Sequence, residues 1–304
     1  MITRREVVRL VGTASAGAWF AATQIGLNFS LAPNAFTANY DSTPPLAPGT
    51  PMSPERLALI ETFKKQSDGL ENKYEARIYK GDDMSMPYRL FRPEASGKLP
   101  LVVYLHGSGG VGNDNLKQLG LGNVFGTRVW LLPENQKRFP CYVLVPQTDT
   151  SWVRYDLWQD APGPPRVLQG LGEGARTALA VVDAACHEFA IDERRIYIMG
   201  QSMGGSGTWH MTAYRPKFFA AAVAVCGGDT AEGAIQSIGT PLWNFHGDAD
   251  KSVPVALSRG RISELRKAGG NPIYTEYAGI DHNSWEWAFT EPALPEWLFS
   301  QRRA

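Results

Sequence analysis

The 304-residue sequence contains few cysteines, no excess of charge and no long apolar run beyond its first 31 residues. The three cysteines include no C-x-x-C pair, which argues against a zinc-binding or redox motif. We interpret them as small buried apolar residues, although a disulfide between two of them stays open. Lysine plus arginine equals aspartate plus glutamate at 30 each, so no basic surface for phosphates is indicated. The sequence therefore predicts no metal, no organic cofactor and no nucleic-acid partner. The cysteines are Cys141, Cys186 and Cys226.

The N-terminal residues 1–38 have the pattern of a targeting segment. Arg4 and Arg5 precede a weakly apolar stretch that is rich in glycine and alanine, which resembles a twin-arginine export signal. An ordinary N-terminal helix or a membrane anchor is the alternative. Because no later run of about twenty apolar residues occurs, no stable membrane span is expected after signal removal. We predict export to the periplasm or the cell exterior.

The rest of the chain is predicted to form one domain. Residues 39–70 indicate a proline-rich linker and a short helix, Pro54 to Lys65, with Ser53 as a candidate N-cap. Residues 71–304 begin with two alternating runs, Tyr74 to Lys80 and Met86 to Phe91, which favour an antiparallel hairpin.

Short, continuous apolar runs then alternate with helical stretches. Such runs are typical of parallel strands that are buried on both faces. The alternation predicts a single-domain α/β fold with a mostly parallel, doubly wound sheet. The predicted strands are Leu99 to Leu105, Tyr142 to Val145, Arg195 to Met199, Ala221 to Val225 and Leu242 to Phe245, and the clearest helices are Gly174 to Phe189, Gly204 to Tyr214, Ser258 to Ala268 and Trp285 to Ser300.

The sharpest motif is Gly200-Gln201-Ser202-Met203-Gly204, which lies between a predicted strand and a predicted helix. A serine lifted above a sheet edge on a tight turn needs small residues two positions before and after it. The motif also occurs by chance in glycine-rich chains, but its strand-turn-helix setting favours Ser202 as a nucleophile.

A serine nucleophile requires a base, and five histidines are candidates. His282 lies in a loop before the C-terminal helix, where the chain order serine, acid, histidine is satisfied. Of the other four, His106 and His246 lie at the ends of predicted strands, and His187 and His210 lie in predicted helices.

Two carboxylates follow the strand that ends at Phe245. A strand's carboxyl end is where catalytic groups collect in open α/β sheets. Asp250 is the favoured acid, Asp248 is a structural alternative that would bond turn amides, and Asp281 is a weaker candidate beside His282.

A glycine-rich loop, His106-Gly107-Ser108-Gly109-Gly110, follows a predicted strand and can supply amides to an oxyanion. The Met203 amide is one expected donor. The second is expected from Ser108 or Gly109, with Ser108 preferred. A phosphate-binding loop is disfavoured because the G-K-S/T sequence is missing.

Together, these residues from about Tyr74 to Arg303 resemble the α/β-hydrolase superfamily. The segment His246 to Pro254 is similar to that superfamily's acid loop, H-G-x-x-D-x-x-V-P, with the match on Asp250. Closer likeness is to secreted carboxylesterases, feruloyl esterases and poly(hydroxyalkanoate) depolymerases, and to predicted peptidases related to prolyl oligopeptidase. The resemblance implies hydrolysis of small-molecule or polymer-linked carboxylic esters through an acyl-enzyme. A peptidase with the same triad and a non-catalytic binding protein are the alternatives.

Two insertions are predicted, Val111 to Pro140 and Gln147 to Gln169, and aromatic residues in and near them are candidates for substrate binding. Stacking and burial use large ring faces, so Trp152, Trp158 and Trp285 are expected near the site. The alternative is that these rings only pack the loops against the domain.

Overall fold

A computed structural model describes residues 53–81, 84–156, 166–228 and 234–304. The predicted signal and most of the predicted linker, residues 1–52, lie outside the described residues. Among the described residues, no helix combines the length and the apolar character that a bilayer crossing requires.

The central element is an eight-stranded sheet with the order β1-β2-β4-β3-β7-β8-β9-β10. Strands β1, β2 and β4 pair antiparallel, and every other neighbouring pair is parallel. A separate antiparallel pair, β5 and β6, lies beside it. The strands are β1 (Glu75–Lys80), β2 (Ser85–Phe91), β3 (Leu99–Leu105), β4 (Tyr142–Pro146), β5 (Val153–Asp156), β6 (Arg166–Leu171), β7 (Ile191–Gln201), β8 (Ala221–Val225), β9 (Leu242–Gly247) and β10 (Ile273–Tyr277).

Helices cover both faces of the sheet, as the doubly wound prediction requires. They are α1 (Pro54–Gln66), α2 (Val124–Arg128), α3 (Pro133–Arg138), α4 (Glu173–Glu188), α5 (Met203–Tyr214), α6 (Val255–Lys267), α7 (Trp285–Ala288) and α8 (Leu294–Ser300). The continuous apolar sequence of β3 follows from this arrangement. Val102 and Tyr104 point into one core, and Leu101 and Val103 point into the other. The predicted α/β class and the N-terminal hairpin are confirmed.

Two of the differences from the sequence-based expectation concern the C-terminal part of the chain. The single helix expected from Trp285 to Ser300 is split into α7 and α8. Pro292 lacks an amide proton, and its ring would clash with the carbonyl of Ala288 in a continuous helix. Strand β10 was not expected because it closes one edge of the sheet, where a strand does not need two buried faces.

The parallel strands point their carboxyl ends at one edge of the sheet. The glycine-rich loop follows β3, Ser202 follows β7, Asp250 follows β9 and His282 follows β10. The topology therefore collects the four chemical segments of the sequence at one place.

Candidate active site

Ser202 occupies a strained turn between β7 and α5. Its backbone has φ 54° and ψ −120°, in the positive-φ region that L-residues seldom adopt. A Cβ atom added at Gly200 would lie 2.4 Å from the carbonyl oxygen of Gly204, and one added at Gly204 would lie 2.0 Å from that of Leu105. The close approach of these backbone segments explains why the motif has glycine two residues before and after the serine.

His282 connects Ser202 to Asp250. Its Nε2 atom lies 2.8 Å from Ser202 Oγ, and its Nδ1 atom lies 2.8 Å from Asp250 Oδ2. A carboxylate only accepts hydrogen bonds, so Nδ1 carries the proton and Nε2 is free to accept the serine proton. The structure thus brings together all three residues that the sequence favoured.

The Asp250 carboxylate is fully buried and hydrogen-bonded through both oxygens. Its Oδ1 atom accepts hydrogen bonds from the amides of Ser252 and Val253, each at 2.8 Å. These turn amides fix the carboxylate's orientation and offset part of the cost of burying its charge.

The two alternative acids have other partners. Asp248 accepts a hydrogen bond from the Gly279 amide at 2.6 Å. Asp281 accepts from the amides of Lys251 and His282, and its carboxylate also pairs with the Lys251 ammonium at 3.0 Å. The hydrogen bond from the Lys251 amide is the main reason that the pKa of Asp281 falls to about 2. Both carboxylates therefore support the loops around the site.

His246 is a second buried histidine in contact with Asp250. Its Nε2 atom lies 3.0 Å from the Val253 carbonyl and 3.2 Å from Asp250 Oδ2, and its Nδ1 atom lies 2.7 Å from Ser258 Oγ. Because a carbonyl can only accept, Nε2 carries the proton and the Ser258 hydroxyl donates to Nδ1. Burial lowers the pKa of His246, which keeps the ring neutral. The sequence placed His246 at a strand end and gave no indication of its contact with the acid.

The glycine-rich loop after β3 presents two exposed residues, Ser108 and Gly109, beside the serine. Ser108 begins a short 3₁₀ turn, and Met203 is the first residue of α5. Amides at the start of a helix have no partner within that helix, which leaves them available to an anion.

Two buried side chains hold this loop in place. Asn123 Oδ1 accepts a hydrogen bond from the Gly107 amide at 2.9 Å. His106 donates from Nδ1 to the Gly107 carbonyl at 2.8 Å and accepts at Nε2 from the Thr148 amide at 3.1 Å. Burial lowers the pKa of His106 to about 4. Asn123 was not expected from the sequence, because a single asparagine in an insertion belongs to no recognisable motif.

Comparisons with known proteins give relatives among hydrolases. The sequence model of the prolyl oligopeptidase family matches residues 173–228, which contain α4, β7, α5 and β8. The crystal structure of a thermostable esterase is 36% identical, with a TM-score of 0.70, over 77% of this chain and 64% of that one. A probable carboxylesterase, SOBER1-like, from Arabidopsis thaliana is 24% identical over 60% of this chain and 72% of its own.

The chain has the α/β-hydrolase fold.

A third relative of this α/β-hydrolase is an uncharacterized secreted protein from Arthroderma benhamiae. It is 24% identical over 62% of this chain and 22% of its own. The α/β-hydrolase thus spans less than two thirds of the thermostable esterase and less than a quarter of the fungal protein.

The three tryptophans differ in their positions in the α/β-hydrolase. Trp152 is completely buried, donates from Nε1 to the His106 carbonyl at 2.8 Å and packs on the His106 ring, so its expected role in stacking on substrate is wrong. Apolar burial and the indole hydrogen bond explain its position. Trp158 lies outside the described residues. Trp285 is half-buried, and its ring meets the His282 ring edge-on at 5.4 Å between centroids.

Cys226 lies behind the serine turn of the α/β-hydrolase. All three cysteines are free thiols, and Cys226 is fully buried. Its Sγ atom and the nearest ligand atoms of Asp250 and His282 lie within 4.8 Å of one another, an arrangement that could hold a metal ion. Burial raises the pKa of the Cys226 thiol to about 12, which opposes formation of the thiolate that a metal requires.

Proposed function

We propose that this α/β-hydrolase cleaves carboxylic esters with Ser202 as nucleophile, His282 as base and Asp250 as acid. The supporting observation is the pair of 2.8 Å contacts that joins Asp250, His282 and Ser202 in series. The 36% identity to a thermostable esterase favours an ester as the substrate.

The first step transfers the acyl group to the enzyme. Ser202 Oγ attacks the ester carbonyl carbon while its proton moves to His282 Nε2. The Ser108 and Met203 amides stabilise the resulting oxyanion, with each donor worth about 2.7 to 4 kcal/mol. The C–O bond to the alcohol then breaks, and His282 returns the proton to the leaving oxygen.

The second step releases the acid. A water molecule gives a proton to His282 Nε2 and attacks the acyl carbon, and the bond to Ser202 Oγ then breaks as Oγ regains the proton. In both steps the buried Asp250 carboxylate keeps the proton of neutral His282 on Nδ1 and stabilises the imidazolium when it forms.

The test compares Ser202→Ala with Ser263→Ala, whose serine is exposed on α6. We expect Ser202→Ala to lose hydrolysis of p-nitrophenyl acetate and labelling by a fluorophosphonate, with its melting temperature unchanged. Ser263→Ala should keep both. Full turnover by a folded Ser202→Ala protein would contradict the proposal.

A peptidase with the same triad is the second candidate, because the prolyl oligopeptidase family matches the segment around Ser202. Assaying peptide p-nitroanilides beside the aryl esters distinguishes the esterase from the peptidase. If kcat/KM for peptide amides equals or exceeds that for aryl esters, the ester proposal is wrong and peptide hydrolysis is the activity.

We also propose that residues 1–38 are an export signal, 39–70 a linker with a short helix, and 71–304 the catalytic domain. The fungal relative that is named secreted supports export. Replacing Arg4 and Arg5 by lysine should retain the protein inside the cell, as judged by fractionation. Export of that variant at the original level would contradict a twin-arginine route.

A further inference from the structure

The turn Gly120–Asn123, which precedes α2, holds an exposed leucine in a strained conformation. Leu121 has φ 50°, and 77% of its surface is exposed. Residues other than glycine and asparagine are disfavoured at this positive φ. Because the Leu121 side chain stays exposed, hydrophobic burial does not offset the free-energy cost of this backbone strain. Such strain is characteristic of functional sites.

Leu121 stands against the proposed oxyanion loop. A Cβ atom added at Gly109 would lie 3.2 Å from Leu121 Cδ1, so the leucine side chain borders the exposed part of that loop. Gly107 in turn lies against Ser202, since a Cβ atom added there would be 3.5 Å from Ser202 Cβ. Leu121 therefore borders a loop that itself packs against Ser202.

Gly122, the next residue, packs against side chains from two sides of the site. A Cβ atom added at Gly122 would lie 2.9 Å from Trp285 Cζ2 and 3.0 Å from Gln201 Nε2. Trp285 packs on the His282 ring, and Gln201 directly precedes Ser202. A side chain at position 122 would displace one of these two side chains, so the turn packs closely against both.

Buried hydrogen bonds hold the turn rigid. Asn123, 1% exposed, accepts from the Gly107 amide, and its carbonyl accepts from Thr127 Oγ1 at 2.9 Å. The Asn123 amide donates to the Gly120 carbonyl at 3.0 Å. Leu121 is thus presented on a preorganised surface, which lowers the entropic cost of a contact with a ligand.

We propose that Leu121 binds an apolar acyl chain of the ester substrate, an assignment that rests on the function proposed above. The leaving oxygen must reach His282 Nε2, so the alcohol lies beside the His282 ring. The acyl chain leaves the carbonyl carbon in another direction, and we assign it to Leu121 because this exposed apolar side chain lies against the oxyanion loop. The substrate class is an ester of an aliphatic acid of more than two carbons.

The test replaces Leu121 by asparagine, which tolerates positive φ, and uses Leu116→Asn as the matched control. Leu116 is 61% exposed in the same insertion and has φ −131°. The assay measures kcat/KM for p-nitrophenyl acetate, butyrate and hexanoate. A methylene that becomes buried on binding is worth up to about fourfold in kcat/KM.

We expect Leu121→Asn to lose about tenfold on hexanoate and less than twofold on acetate, with an equal or higher melting temperature. Leu116→Asn should match the unmodified protein on all three esters. An unchanged chain-length dependence in Leu121→Asn would overturn the assignment, and so would an equal loss on acetate and hexanoate, which would indicate a role in shaping the oxyanion loop. Absence of any Ser202-dependent ester hydrolysis would instead contradict the proposed function.

Discussion

The Nε2 atom of His246 lies 3.2 Å from Oδ2 of Asp250, the same carboxylate oxygen that contacts His282. One buried carboxylate is thus shared by two histidines, of which only His282 reaches the serine. Because His246 is neutral and fully buried, its Nε2–H, which donates to the Val253 carbonyl, also presents a fixed dipole to the Asp250 carboxylate.

Replacing His246 by leucine removes this donor, whereas glutamine can place an amide N–H near the position of Nε2. A direct hydrogen bond to a charged group is worth about 1.5 to 3 kcal/mol and this shared contact less, so we expect kcat of His246→Leu to fall by up to about tenfold, with KM little changed. His246→Gln should recover most of the loss. Normal kcat in a folded His246→Leu protein would show that this contact does not matter to the reaction.

Asp250→Asn tests which of the three nearby carboxylates supports His282. The amide would hold the imidazole in the wrong tautomer, and kcat should fall by about four orders of magnitude. Asp248→Asn and Asp281→Asn remove carboxylates that bond only loop groups, and each should lose less than about tenfold. Steady-state kinetics on one ester compares all three, and a larger loss in either control than in Asp250→Asn would contradict the assignment.

Gly204→Ala tests the close approach beneath the nucleophile. The added Cβ would meet the Leu105 carbonyl at 2.0 Å, so we expect a loss of about 3 kcal/mol in the free energy of unfolding. Gly260→Ala is the matched control, because nothing lies within 4 Å of a Cβ atom at that position in α6. It should stabilise the protein by about 0.5 to 1 kcal/mol. Urea denaturation measures both, and equal stabilities of the two variants would refute this account.

The buried histidines make stability depend on pH. Burial lowers the pKa values of His106 and His210 to about 4 in the folded state, whereas the ordinary value is 6.5. The unfolded chain therefore binds more protons than the folded one below pH 6.5, so stability is lost as the pH falls from there toward 4. Between pH 7.5 and 5, each histidine should account for a loss of about 2 kcal/mol.

Urea denaturation at the two pH values measures this effect. In His210→Gln the loss on acidification should be smaller than in the unmodified protein by the contribution of one histidine. His187→Gln, which replaces an exposed histidine on α4, should keep the full pH dependence. An identical pH dependence in His210→Gln and the unmodified protein would exclude His210 as a source.

The sequence alone identified the segments that carry the chemistry and their order along the chain, serine, acid and histidine. Strand β3 was predicted with its observed limits, because a strand covered on both faces must be apolar throughout. The expectation for Trp152 was wrong, because an aromatic residue in a predicted insertion gives no local signal of whether its ring faces solvent or the core. Strand β10 was missed for a similar reason, since an edge strand has no continuous apolar pattern.

The serine turn could be predicted from the sequence, because both glycines lie within one short motif. The contact between Gly200 and the Gly204 carbonyl is local, whereas the contact of Gly204 with the Leu105 carbonyl is tertiary. Only the tertiary structure decided between Asp250, Asp248 and Asp281. The packing of two loops determines which carboxylate contacts His282, and no local sequence rule does. The same holds for His246, Asn123 and Leu121, whose partners lie on other segments. Contacts between segments distant in sequence follow from the sheet order and loop packing, and neither can be deduced from a motif.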